Sequence, residues 1–152
     1  MSQRIESIYS VRDIPAPLTS DRDSDVEWMC KCFGFMEPRD KRRTAAKIFA
    51  VLVENANNDN GMSSDEIAEK VGVTRAGVIH HLSKMIGSGL AIQRQEGYKL
   101  RTRSVESTII EVQRDIARVF ENLTRIAREI DRTMNIPTGR DSKPPWLLFD
   151  HH

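Results

Sequence analysis

Apolar residues recur along this chain with periods that change from stretch to stretch, and each period predicts an element. Val26, Met29, Cys30 and Phe33 fall at helical spacing within residues 24–36, which predicts a short helix. Ala45, Ile48, Phe49 and Leu52 then recur at three- and four-residue steps, the buried stripe of a stronger helix. Its start is expected at Glu37-Pro38, since proline suits a first helical turn. The run Asn55–Gly61 is dense in turn formers and ends it. Ile67, Ala68 and Val71 carry the next helix, opened by Ser63 and Glu66 at capping-box spacing and closed by Gly72. Thr74 is placed to cap a further helix in which Val78, Leu82, Met85 and Ile86 form the buried stripe, and Gly87-Ser88-Gly89 ends it. Residues 90–94 and 98–101 read as two short strands around Gln95-Glu96-Gly97, with Gly97 supplying a positive φ to the turn.

A long helix is expected over 104–135. Ile109, Val112, Ile116, Val119, Leu123, Ile126 and Ile130 follow one another in alternating steps of three and four, a strict heptad seam. That regularity favours a dimerising helix over one packed only on its own domain. Phe120, Ala127 and Met134 flank the seam. Pro137 and Gly139 end the helix, and the tail beyond them holds an apolar cluster, Trp146 to Phe149, suited to docking on the domain or on a protein partner, before a terminal His151-His152 pair.

The predicted fold class is mostly α with a small β-hairpin wing: a winged helix-turn-helix with a long C-terminal dimerisation helix. The expected organisation is a flexible arm over 1–22, where charges mix with Ile14-Pro15-Ala16-Pro17 and no period is sustained, a domain over 23–103, the dimerisation helix over 104–135 and a tail over 136–152. Two short helices joined by the three-residue turn Gly72-Val73-Thr74 have the layout in which the second helix enters a DNA major groove.

Charge strengthens that expectation once it is divided along the chain. The net charge is only +1. Residues 73–103, however, hold Arg75, Lys84, Arg94, Lys99, Arg101 and Arg103 against Glu96 alone, while every other segment is neutral or acidic. A clustered basic face matters more for phosphate binding than the whole-chain sum. At 152 residues the chain is long enough for one domain with a core. No apolar run approaches the roughly 20 residues needed to span a bilayer, and the N-terminus has no apolar signal region, so a cytoplasmic protein is expected.

Cys30 and Cys32 are the only cysteines. One residue apart, they would form a strained disulfide, and two ligands fall short of a structural zinc site. They are weak candidates for a metal or redox site, and Cys30 reads better as a small core residue. His80 and His81 are adjacent, which is not the i,i+4 spacing that brings two ligands together on a helix. A histidine charge near neutral pH would strengthen DNA binding mildly in acid. The chain has no phosphate loop, no H-E-x-x-H and no nucleophile elbow, so neither an enzyme nor a cofactor is expected.

Glu66-Ile67-Ala68, Gly72-Val73-Thr74, His81-Leu82 with Met85, and Gly89-Leu90 together resemble the winged helix-turn-helix regulators of the broad ArsR/MarR class, most of all the ArsR-like proteins. The resemblance covers roughly residues 38–133 and implies a homodimeric transcriptional regulator on double-stranded DNA. Where some ArsR-like metal sensors carry a Cys-x-Cys pair, this chain reads Ser63-Ser64-Asp65, and residues 104–135 hold no His or Cys. The two commonest metal-sensing sites of that class are therefore missing. Ile79 and His80 stand where the family has Ser and Arg.

These readings assign Thr74, Arg75, Ala76, Gly77, His80, His81 and Lys84 to a recognition helix. Arg75 is the candidate for bidentate pairing with guanine, Ala76 for a thymine methyl, and Gly77 for close backbone approach to the groove. Thr74, His81 and Lys84 suit phosphates, with hydrogen bonding inside the domain as the alternative for His81. On the wing, Arg94, Gln95, Tyr98 and Lys99 are expected to reach the adjacent backbone or minor groove. Two other functions fit the same elements: a winged-helix interaction subunit of a larger transcription or chromosome complex, and a Cys-based redox- or metal-responsive repressor.

Overall fold

A computed structural model describes residues 7–95 and 97–137. Among the described residues there are five helices and a two-stranded antiparallel sheet, in the order α1 (Arg22–Cys32), α2 (Thr44–Glu54), α3 (Ser64–Val71), α4 (Arg75–Gly87), β1 (Ala91–Arg94), β2 (Gly97–Leu100) and α5 (Val105–Thr133). The protein is mostly helical with a small hairpin, a winged-helix-like layout. The chain divides into two compact units, residues 1–112 and 113–152.

In the first unit, residues 7–20 form no helix or strand, as expected, but they are not loose. The Arg12 amide donates to the Cys32 carbonyl at 2.7 Å and Trp28 Nε1 donates to the Ile14 carbonyl at 3.1 Å, so the arm lies along α1. Asp21 caps α1 by accepting from the Ser24 amide at 2.9 Å.

The start of α2 differs from the expectation. Residues 37–43 are turns, and Pro38 lies outside the helix. The cause is Asp40, whose two carboxylate oxygens accept from the Thr44 and Ala45 amides at 3.0 and 3.2 Å and satisfy the first-turn donors there. The stripe is as expected: Ala45, Ile48, Phe49 and Leu52 are all buried.

Local signals place α3 and α4 closely. Ser63 Oγ accepts from the Glu66 amide at 3.1 Å, and Gly72 closes α3 at a φ of 78°. Thr74 Oγ1 then accepts from the Gly77 amide at 3.1 Å and opens α4. Ile67 of α3 and Val78, Leu82 and Met85 of α4 are completely buried beside the α2 stripe, whereas Ile86 is partly exposed. That core orients α4: its apolar face is consumed and its N-terminal polar face is left in solvent.

The strands pair Ala91 with Leu100 through to Arg94 with Gly97. The positive φ of the turn sits at Gln95 (52°), not at Gly97 as expected. Gly97 is required for another reason. A Cβ on it would stand 2.0 Å from the Asn60 carbonyl oxygen, because the segment before α3 crosses β2 there. The same crossing makes a third, one-residue rung: Met62 and Tyr98 exchange backbone hydrogen bonds at 2.9 and 2.7 Å.

Helix α5 begins in the first unit, where Thr108 and Val112 are buried. Thr108 Oγ1 accepts from the Thr102 amide at 3.2 Å and fixes the corner after the hairpin. The second unit holds the rest of α5. Its seam residues Val119, Leu123, Ile126 and Ile130 are 43–56% exposed, as are neighbouring Phe120 and Met134 to a similar or greater degree. Among the described residues no helix is long and apolar enough to cross a membrane. The Trp146–Phe149 cluster and the His151-His152 pair lie outside the described residues.

Candidate nucleic-acid interface

The N-terminal face of α4 presents Thr74, Arg75, Ala76 and His80 to solvent. Arg75 Nε donates to Ser64 Oγ at 3.2 Å, and its guanidinium lies 3.8 Å from Asp65 on α3. Both members of that ion pair are about two-thirds or more exposed, so the pair is worth about 0–1 kcal/mol and leaves the guanidinium recruitable by a stronger partner. Gly77 has a task inside the helix: a Cβ there would lie 3.2 Å from Thr74 Oγ1, crowding the cap that opens α4.

Farther along α4, His81 and Lys84 are partly covered. Lys84 Nζ bonds to the Glu37 carboxylate, from the turn that precedes α2. Lys84, expected at phosphate, thus has an acidic partner within the domain. His81 is half-buried, and its Nδ1 is enclosed without a hydrogen-bond partner, so that nitrogen makes no bond inside the domain. Burial holds the imidazole below its ordinary value, with His80 and Lys84 acting in the same direction and Asp40 and Glu37 against it. Burial thus disfavours the charged form of His81.

On the hairpin, Arg94 and Gln95 are exposed at the turn and Tyr98 is half-buried at the Met62 rung. Lys99 is only 8% exposed. It was expected on the binding face of the wing. It pairs with Ile92 across the hairpin and is covered by the fold instead.

Three-dimensional pairing also redraws the charge map. Of the basic residues in 73–103, Arg75 meets Asp65, Lys84 meets Glu37, Arg101 lies 3.8 Å from Glu111, and Arg103 lies 3.6 Å from Asp59. Every one of these acids comes from outside the segment. Sequence reading missed the turn 37–43, where Arg39, Lys41 and Arg42 are exposed and no ion pair is found for them among the described residues. The signal was present in the run Arg39-Asp40-Lys41-Arg42-Arg43, but placing it inside a helix hid it.

Cys30 and Cys32 are both buried, and both are free thiols. Burial, with Glu27 nearby, pushes the Cys30 thiol up to about 12. Burial also raises Cys32, with Asp13 adding to the effect and a backbone hydrogen bond at Ile14 opposing it. Protonated buried thiols are poor nucleophiles and poor metal ligands. Among the described residues no group of three or more His, Cys, Asp or Glu side chains is arranged to hold a metal. An open groove of about 490 Å³ beside α1, α2 and the end of α3 is lined by charges that pair with one another, Arg22 with Glu54 and Arg43 with Glu27.

Comparison with family models, with curated proteins and with solved structures finds no match to this chain. The functional reading therefore stands on the residues and on the winged-helix-like layout.

Proposed function

We propose that this chain is a sequence-specific double-stranded DNA-binding transcriptional regulator that acts as a homodimer, an ArsR-like winged helix-turn-helix protein. Helix α4 is its recognition helix, entering the major groove by its N-terminal face, and the β1–β2 hairpin is a wing on the backbone or minor groove. One observation carries this reading: α4 buries Val78, Leu82 and Met85 completely while Thr74, Arg75, Ala76 and His80 stay exposed at its start. A helix held in this way offers a polar, cationic leading edge that is already ordered, as groove entry demands. Arg75 is the base-reading residue, Thr74 and Arg94 contact phosphate, and Lys84 and Lys99 serve the fold.

The half-exposed outer seam, Val119, Leu123, Ile126 and Ile130, supports the homodimer, whereas Val112 at the start of the expected seam is consumed by the first unit. Two-fold symmetry then sets half-sites roughly 10 base pairs apart. Selection of bound duplexes from a random pool tests both claims. A palindromic consensus with that spacing is expected, and Arg75→Ala should relax preference at one guanine by about 1–3 kcal/mol. Failure to enrich any sequence, together with no salt-sensitive duplex binding, overturns the proposal.

A second reading has its own support. Pairing of Lys84, Arg101 and Arg103 with acids of the domain, together with the exposed apolar stripe of α5, suits a winged-helix subunit of a larger transcription or chromosome assembly. Absence of heparin retention and of duplex binding, with the seam still engaged by a protein partner, favours it.

A further inference from the structure

Resting on the DNA-binding reading, we infer that the turn over 37–43 is a phosphate-contacting element, with Arg39, Lys41 and Arg42 gripping the duplex backbone beside the recognition helix. Three observations converge on it. First, the turn is fastened to α4: Glu37 holds Lys84, and Asp40 and Glu37 both act on His81. Arg39, Lys41 and Arg42 therefore belong to a turn tied to the recognition helix at Lys84. Second, the turn's own acids are spent. Glu37 is engaged by Lys84, and Asp40 accepts the Thr44 and Ala45 amides. Third, its cations are sorted. Arg43 pairs with Glu27 at 3.2 Å, whereas Arg39, Lys41 and Arg42 are exposed, and no ion pair is found for them among the described residues.

Phosphate binding needs this kind of charge. A cation already paired within the protein must give up that partner, while an uncompensated one gains the full release of condensed counterions. The segment 73–103 is richer in cations by sequence, yet four of its six are paired in the fold. The partner is the sugar-phosphate backbone and not the bases, so the contribution is independent of sequence.

The test is the salt dependence of duplex affinity in the full-length protein, with a duplex taken from the selected pool and a scrambled one of equal length. Each lost phosphate contact lowers the slope of log affinity against log salt by about 0.9. Joint replacement Arg39→Gln, Lys41→Gln and Arg42→Gln should lower the slope by about 2–3 and weaken both duplexes alike, on the order of 10²-fold at 0.1 M salt. Arg43→Gln, in the same turn but paired, should leave the slope unchanged. Circular dichroism confirms that each variant keeps its helices. A steep native slope that the triple replacement leaves intact overturns this inference while the DNA reading stands. An equal loss in Arg43→Gln overturns the assignment to the three unpaired cations. No salt-sensitive binding by the native protein overturns both.

Discussion

Helix α2 and the outer part of α5 carry apolar residues at much the same helical spacing, and they end in opposite environments. Phe49, Ile48 and Leu52 of α2 are at most 1% exposed, covered by α3, α4 and β2. Val119, Leu123, Ile126 and Ile130 of α5 are at least 43% exposed. Periodicity states that a face is apolar and leaves open what covers it. In α2 the stripe is mixed with Ala45 and Ala46, small enough for neighbouring helices to approach closely. In α5 the seam keeps strict heptad steps and is flanked by Phe120 and Met134, both exposed.

Four measurements bear on this contrast. The largest effect is expected in α5. Val119→Glu with Leu123→Glu removes two apolar side chains per protomer, four from the proposed dimer seam; each is already about half covered in the single chain, so about 3–6 kcal/mol of association is lost from area burial alone. Sedimentation should show monomers while the melting of the 1–112 core is unchanged. A variant that remains dimeric removes the seam from the interface. Phe49→Ala reverses the pattern, costing about 3–5 kcal/mol of folding stability by chemical denaturation at unchanged subunit stoichiometry. A cost near zero would show that α2 is not the core its burial implies.

Gly97→Ala tests the crossing of the 60–62 segment over β2. With a new methyl 2.0 Å from the Asn60 carbonyl, backbone must shift, and a loss of about 1–3 kcal/mol is expected in thermal melting. An unstrained variant would mean that the crossing is loose.

The smallest effect belongs to His81. Its imidazole sits below its ordinary value when folded, so the unfolded chain binds the proton more tightly. Stability is then fully present above about pH 6.5 and declines as pH falls through that value. His81→Gln should flatten the pH dependence of denaturation midpoints between pH 7.5 and about 5.5. Identical profiles for both proteins would place the titration elsewhere.

Much of the fold was legible because its signals are short in sequence. Ser63, Gly72 and Thr74 act within four residues of themselves, so the α3–turn–α4 unit could be placed from composition and spacing. The start of α2 was missed because Asp40, two residues beyond a proline that suggested an earlier start, captures the Thr44 and Ala45 amides. For the candidate site, exposure of Arg75, Ala76 and Arg94 followed from their places in the pattern. The pairing of Lys84 and the burial of Lys99 did not, since the first depends on Glu37, 47 residues away, and the second on what the fold brings against β2.

The sequence by itself determined the caps of α3 and α4, the apolar faces of the helices and the heptad spacing, because each arises from hydrogen bonds and periodicities local to the chain. Tertiary structure alone decided which cations are free. Glu37, Asp59, Asp65 and Glu111 lie outside the segment whose charges they neutralise, and only folding brings them within 4 Å of it. Coulombic pairing depends on distance in space, and no count of charges along a chain contains that distance.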